Sequence, residues 1–346
     1  MEEVTKILTE IKPLVDKQII KHIPKKGDPQ VLFDACWEFL GAGGKRLRPA
    51  LMATSCEALG GNPEDTVLAG TSLEIAHNFF LIHDDIEDFS ELRRGQPCLH
   101  IKYGIPHAIN VGDYLFAKSI EVCLSGQKMW GLVKTKKVLD LMDEMYVITA
   151  EGQAADIEAR DKDLEGATVD WYKKMSLRKT GYYTGGTPCA IGAVIAGGEN
   201  NQIKILKEFG FAIGVAFQIQ DDILNVTMSL DEEKMAPSTK GGGYGKDFAG
   251  DIKEGKRTLL IVHLFAQASR SEKKDLKILV GKKDISLEEK IKVIELMRKY
   301  RSIDYASDYA KRMMERATRM LRDGIRPTRG RKKLEAIADF FVTRRF

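Results

Sequence analysis

Residues 64–88, EDTVLAGTSLEIAHNFFLIHDDIED, decide the fold. Val67, Leu68, Leu73, Ile75, Ala76, Phe79, Phe80 and Ile82 recur at helical spacing and wrap around most of the helix, so 64–83 reads as a helix buried on nearly all sides. It runs straight into Asp84, Asp85, Glu87 and Asp88. Positions i and i+4 share a helix face, so Asp84 and Asp88 point the same way. Carboxylates that close repel one another unless a cation joins them. Hard oxygen ligands of this kind suit Mg²⁺.

The same period covers 1–21, 31–40, 46–59, 107–125, 132–159, 171–177, 187–196, 201–225, 256–269, 287–299, 305–321 and 333–346. Alternating strand patterns bounded by turn pairs are essentially missing. Ten or more helices joined by short loops predict an all-α bundle around a central cavity. No repeat or linker divides the chain, so one domain over 1–346 is expected. The long polar stretch from Thr227 to Gly250 is the exception to the short loops.

With 346 residues, 43% hydrophobic and 30% charged, the composition is that of a globular chain, not a disordered one. Lys and Arg number 54 against 50 Asp and Glu, a net charge of +4, which speaks against a nucleic-acid partner. No run approaches the roughly 18–20 apolar residues of a membrane span. The opening MEEVTKILTE carries acids where an export signal carries bases. No transmembrane segment and a cytoplasmic location are therefore expected. Cys36, Cys56, Cys98, Cys123 and Cys189 contain no CxxC pair and are expected to be reduced thiols.

A second acidic pair, Asp221 and Asp222, lies near the end of the apolar run 211–220, with Asn225 four residues after Asp221. Two buried helices, each ending in paired aspartates, can face one another across a cavity and hold several metals. The bases distinguish this from an acids-only metal site. Lys45 and Arg48, Arg93 and Arg94, Lys179, Lys246 and Lys256 each sit beside a glycine, a loop or an acidic cluster. Arg suits bidentate phosphate contacts and Lys acts as a compact point charge. Glu74 and His77 form only half of a di-iron pattern, and none of the six histidines supplies a second copy. Gly245-Lys246 lacks the leading glycine and following Ser/Thr of a P-loop.

Taken together, Gly43-Gly44-Lys45-Arg46-Leu47-Arg48-Pro49, His83-Asp84-Asp85-Ile86-Glu87-Asp88, Arg93-Arg94-Gly95, Lys179-Thr180, Phe217-Gln218-Ile219-Gln220-Asp221-Asp222 and Gly250-Asp251-Ile252-Lys253-Glu254-Gly255-Lys256-Arg257-Thr258 resemble the all-trans polyprenyl diphosphate synthase family. The resemblance implies the type I isoprenoid synthase fold, usually a homodimer. It implies a prenyltransferase that joins isopentenyl diphosphate to an allylic diphosphate by Mg²⁺-dependent ionisation, condensation and elimination. Asp84 and Asp88, supported by Asp85, would bind Mg²⁺ with the allylic diphosphate, and Asp221 with Asp222 a further Mg²⁺. Arg93, Lys179, Lys246 and Lys256 would contact the allylic diphosphate. Lys45, Arg48, His77 and Arg94 would form a metal-free pocket for isopentenyl diphosphate. Thr180 and Gln218 would lie beside the nascent carbocation. Asn225 departs from the commoner aspartate of the second motif, which puts its place among the metal ligands in question.

Phe79 and Phe80 lie five and four residues before Asp84, roughly 6–8 Å along the helix axis. An aromatic ring aimed into the tunnel there stops the growing tail early. One aromatic at the fifth position is similar to archaeal geranylgeranyl synthases, and an aromatic pair to animal farnesyl synthases; the expectation is geranylgeranyl diphosphate, with farnesyl diphosphate the alternative. A class I terpene cyclase needs no second diphosphate pocket, against which Lys45, Arg48 and Arg94 speak. A non-catalytic synthase subunit has no need of both aspartate pairs.

Overall fold

The computed structural model describes residues 2–227 and 248–343, so Lys246 and most of the 227–250 loop lie outside the described residues. Helix α1 (Glu2–His22) buries Val4, Ile7, Ile11, Val15 and Ile19, close to one residue per turn, on a single stripe. It is followed by α2 (Gln30–Gly41), α3 (Leu47–Ala58) and α4 (Val67–Glu87). In α4 even Thr71, Ser72, Glu74 and Asn78 are buried with the apolar positions, as the pattern of 64–83 predicts. Helix α4 packs on α1, α3 and α6 (Ile105–Ser125), the last reached through the short α5 (Leu99–Lys102). Helix α7 (Gln127–Arg160) is interrupted at Gly131, whose φ of 74° and ψ of 166° are not helical.

The second half is built on α10 (Asn200–Thr227), against which α9 (Thr187–Ile195) and α15 (Ser302–Gly324) pack. Helix α8 (Val169–Ser176) leads into a π-helical segment, Leu177–Gly186, wedged between α7 and α10. The remaining helices are α11 (Gly250–Lys253), α12 (Leu259–Gln267), α13 (Arg270–Leu279), α14 (Leu287–Lys299) and α16 (Arg329–Thr343). Two stripes of small residues let the central elements touch. A Cβ added at Gly152 of α7 would lie 2.2 Å from the backbone nitrogen of Lys179, and one at Gly210 of α10 would lie 2.2 Å from the carbonyl oxygen of Gly185. Both crossings bring backbone onto backbone, which no larger residue permits.

Three features depart from the sequence reading. The π-helical segment spans residues the periodicity leaves unassigned between 177 and 187; a wider turn blurs the 3.6-residue pattern. Helix α13 is amphipathic and short, and its start is fixed by a Ser269/Glu272 capping box. Leu92–Arg93 pairs with Gln96–Pro97 in a small antiparallel hairpin. Its turn residues Arg94 and Gly95 both have positive φ, 54° and 73°, the signature of the type I′ turns that match strand twist. Two residues per strand carry no alternation to detect.

Among the described residues all five cysteines are buried and none is in a disulfide. No described helix is long and apolar enough to cross a membrane.

Candidate active site

A cavity of about 500 Å³ opens between α4, α7, the π-helical segment and α10. Asp84 lines one wall and Asp221 the other, so the two acidic motifs share one space. Asp84 is surrounded by cations and an amide. Its Oδ1 accepts from Gln153 Nε2 at 3.1 Å and lies 3.6 Å from Lys179 Nζ, while Oδ2 lies 3.5 Å from Arg93 Nη2.

Asp85 and Asp88 do not line the cavity but form the layer behind it. Asp85 is held by Arg93, whose Nε donates to Oδ1 at 2.8 Å and whose Nη2 contacts the same oxygen. Burial raises the Asp85 carboxyl above its ordinary value, with the Arg93 charge opposing. Asp88, 6% exposed, pairs with Lys256 at 2.8 Å and Arg160 at 2.7 Å. Burial pushes against ionisation there, yet Lys256, Lys179 and Arg160 together hold the Asp88 carboxyl well below the usual carboxylate range.

Helix α7 contributes residues that the motif reading missed. Gln153, Asp156 and Arg160 follow one another at helical i, i+3, i+7 spacing; the first two line the cavity and Arg160 pairs with Asp88 and Asp156. Asp156 Oδ2 accepts from Lys179 Nζ at 2.7 Å and from Arg160 Nη2 at 2.8 Å. Burial opposes its charge, but Lys179, Arg160 and Lys256 outweigh it and hold the carboxyl at about 2. The close crossing at Gly152 puts Asp156 within reach of Lys179. A buried-face acid four residues before an Arg is the signal that would have found this pair.

On the far wall Thr180 Oγ1 donates to Gln218 Oε1 at 2.8 Å, and Gln218 Nε2 donates to Asp222 Oδ1 at 2.8 Å. Tyr172, fully buried, donates to Asp222 Oδ2 at 2.9 Å. Asp222 is raised above the ordinary carboxylate value, first by burial and then by the charges of Asp251 and Asp221. Asn225 is buried, and its Oδ1 accepts the backbone N–H of Asp251 at 3.2 Å. Its side chain thus ties α10 to α11. A carboxylate in its place would add a further negative charge to this acidic group.

The hairpin separates the neighbouring arginines. The left-handed turn residue Arg94 leaves the strand direction of Arg93 (φ 54°), and while Arg93 turns to the aspartates, Arg94 stacks over Phe39 at 5.6 Å. Arg94 shares the cavity with Arg48 and His77. Arg48 Nη2 donates to Thr184 Oγ1 at 2.9 Å, and its guanidinium lies 4.5 Å from the Tyr183 ring centre. His77 stacks on the same ring at 5.8 Å. Arg48 Nε, Arg94 Nη1 and His77 Nδ1 are buried atoms without hydrogen-bond partners. Burial pushes the Arg94 guanidinium down to about 10, with Arg93 and Arg46 adding to the effect and Glu74 opposing it. Burial, followed by Arg48 and Arg94, drives the His77 imidazole well below its ordinary value. Lys45 is exposed on the preceding loop and does not line the cavity. Arg46 is instead structural, bridging Asp16 at 2.8 Å and Glu74 at 2.9 Å. That pairing accounts for the buried Glu74.

Phe79 and Phe80 both line the cavity. Phe79 packs on Phe116 at 5.5 Å, Phe80 on Tyr183 at 5.4 Å and Tyr146 at 6.0 Å, and Phe116 meets Tyr146 edge-on at 4.9 Å. The rings from α4, α6, α7 and the π-helical segment form an aromatic floor.

The donor chemistry fits a hard divalent cation. Asp84 and Asp221 offer carboxylate oxygens across the cavity, and on the second wall burial, followed by the charges of Asp251 and Asp221, raises Asp222 above its ordinary value. Among the described residues no three His, Cys, Asp or Glu side chains are grouped to hold a metal by themselves. That is the arrangement expected of Mg²⁺, which commonly joins one or two carboxylates to water and substrate phosphates.

The polyprenyl synthetase family model matches residues 29–297. A geranylgeranyl diphosphate synthase of Sulfolobus acidocaldarius is 36% identical over 323 residues, 92% of each chain. The structure of a geranylgeranyl pyrophosphate synthetase from Pyrococcus horikoshii Ot3 superimposes with a TM-score of 0.87 at 34% identity, over 98% of both chains. A geranylgeranyl pyrophosphate synthase from Corynebacterium glutamicum, complexed with isoprenyl diphosphate and magnesium, gives a TM-score of 0.81 at 27% identity, over 99% of this chain and 98% of that one. The chain belongs to the polyprenyl synthetase family and is a prenyltransferase.

The Asp156 pairing has a consequence in acid. Its carboxyl sits at about 2 in the folded protein against an ordinary 3.8, so its stabilisation is complete above the unfolded value and is lost as pH falls through the folded one. Asp156→Asn should lower the unfolding free energy at pH 7 by about 2 kcal/mol, a gap that closes between pH ~4 and ~2. Urea titrations across that range measure it; a gap of constant size would contradict the pairing.

Proposed function

We propose that this prenyltransferase condenses isopentenyl diphosphate with an allylic diphosphate and gives geranylgeranyl diphosphate as its main product. The observation that carries the reading is that one cavity is lined by two cationic sets, Arg93, Lys179 and Lys256 beside the aspartates and Arg48, Arg94 and His77 around Tyr183 and Phe39, together with Phe79 and Phe80. Arg93, Lys179 and Lys256 stand among the aspartates and would hold the allylic diphosphate, with Lys246 assigned to the same role from its motif. Arg48, His77 and Arg94 present unpartnered donors to a second anion, the isopentenyl diphosphate, with Lys45 at its entrance. A cyclase needs no such second set.

Asp84 and Asp221 would hold Mg²⁺ from the cavity walls, with Asp88 assigned to the same role from its motif although Lys256 and Arg160 hold it behind Asp84, Asp85 fixing Arg93 and Asp222 fixing Gln218. Bound Mg²⁺ supplies Lewis-acid stabilisation of the departing pyrophosphate. Arg93, Lys179 and Lys256 add fixed positive charge where the leaving group becomes more negative, in a setting of low dielectric. Thr180 and Gln218 turn oxygens toward the allylic carbons. The Arg48 side holds the acceptor double bond close to them, so condensation is effectively intramolecular. No side chain on the acceptor side is an evident base, and the proton lost at the end goes to the released pyrophosphate.

Phe79 and Phe80 would set the product length. In a single assay with isopentenyl diphosphate, farnesyl diphosphate and Mg²⁺, the wild type should yield a linear C20 diphosphate, and Phe79→Ala a main product longer by at least one five-carbon unit. A cyclic hydrocarbon, or no turnover, would overturn the function; identical product distributions would remove Phe79 from the floor.

The homodimer is proposed on an exposed apolar row, with Ile105, Ile109 and Leu124 on α6 and Leu132, Val133 and Val147 on α7. Sedimentation velocity should give a dimer that Ile109→Asp with Val147→Asp converts to monomer; a wild-type monomer would contradict the assignment. Five buried cysteines outside any disulfide support a reducing, cytoplasmic setting.

A further inference from the structure

Tyr172 lies outside every motif, yet its hydroxyl ends a chain of hydrogen bonds that crosses the second wall of the cavity. The links are Tyr172 Oη to Asp222 Oδ2 at 2.9 Å, Gln218 Nε2 to Asp222 Oδ1 at 2.8 Å and Thr180 Oγ1 to Gln218 Oε1 at 2.8 Å. Tyr172 is 1% exposed, Thr180 2% and Asp222 4%. Gln218, the middle link, is half-buried at the cavity wall, and each of its two polar ends is taken up by a protein partner.

The polarity of the chain follows from the inventory of donors and acceptors. A primary amide can present either its oxygen or its nitrogen to a neighbour, and Gln218 alone has no reason to choose. Tyr172 donates to Oδ2 of Asp222, which leaves Oδ1 as an acceptor facing Gln218. With Asp222 as the carboxylate, Gln218 turns its NH₂ to Asp222 and its oxygen to Thr180. Thr180 in turn uses its only proton on that oxygen. What remains for the cavity is lone-pair density, on Thr180 Oγ1 and on the second lone pair of Gln218 Oε1. The reversed amide would instead set an N–H group, the wrong sign, beside a developing allylic cation.

We propose that Tyr172 and Asp222 are positioning residues that lock the Gln218–Thr180 pair with its negative end toward the reacting carbons. The proposal rests on the prenyl-transfer reading above. It assigns Asp222 a role distinct from that of Asp221, because both Asp222 oxygens are already committed to protein donors. The dipoles act on the cation formed during ionisation and not on either diphosphate, so their loss slows the chemical step and leaves binding alone.

The test is a double-mutant cycle. Tyr172→Phe keeps the ring and removes only the hydroxyl. In steady-state assays it should lower kcat about tenfold with KM for both substrates unchanged within about twofold. Calorimetric binding of pyrophosphate in the presence of Mg²⁺ should be equally unmoved. In a Gln218→Leu background, followed by single-turnover kinetics, adding Tyr172→Phe should cost less than about twofold, since the group it acts through is gone. A further tenfold loss in that background, or a shift in KM or pyrophosphate binding, would show Tyr172 to be a packing residue and overturn the proposal. Wild-type protein that condenses no substrate would instead overturn the function on which it rests.

Discussion

The structure depends on one electrostatic constraint: many carboxylates stand together at the edge of an apolar cavity. In low dielectric an uncompensated carboxylate neutralises itself or drives the wall apart. Here acids and bases alternate, with Asp85 on Arg93, Asp156 on Lys179 and Arg160, and Asp88 on Arg160 and Lys256. The outcome differs from one acid to the next. On the α4 and α7 side cations hold Asp88 and Asp156 below the usual carboxylate range while burial raises Asp85, and on the α10 side burial, followed by the charges of Asp251 and Asp221, raises Asp222. An acidic excess on one wall facing cations on the other is the charge pattern that a metal–diphosphate complex completes.

Backbone geometry makes the pattern possible. Glycines at 152, 185 and 210 bring α7, the π-helical segment and α10 into backbone contact, which sets Lys179 beside Asp156. A two-residue hairpin gives adjacent arginines different partners, Arg93 the aspartates and Arg94 Phe39, so one short loop supplies cations to both parts of the cavity. Arg94 adopts a left-handed conformation to do so, at φ 54°, where a bulky residue is uncommon. Such local strain is tolerated where the surroundings overdetermine it, and the packing of Arg94 on Phe39 and beside Gly44 does that here.

Much of this was legible in the sequence. The run 64–83 announced a helix apolar on every face, and α4 is buried even at Thr71 and Glu74 because it occupies the centre of the bundle. The two aspartate clusters, Lys179, Thr180, Gln218 and the paired arginines stood out because charge beside a helix end or a glycine is conspicuous. Asp156, Arg160 and Tyr172 did not. They sit inside helices at ordinary spacing, and only the approach of α7 to the π-helical segment and of α8 to α10 gives them partners. Lys45, read as a ligand from its place in a glycine loop, is exposed and does not line the cavity itself. For Asn225, letters alone left open whether the amide ligates metal, whereas its hydrogen bond to Asp251 shows it pinning two helices.

The central claim is that α4 and α10 carry the two halves of one metal–diphosphate site. A crystal grown with pyrophosphate and Mn²⁺ in place of Mg²⁺, measured at the manganese absorption edge, tests it directly. The account predicts separate anomalous peaks at coordination distance from Asp84 and from Asp221, joined through one pyrophosphate. Peaks confined to a single wall, or a pyrophosphate seated away from both aspartates, would contradict it.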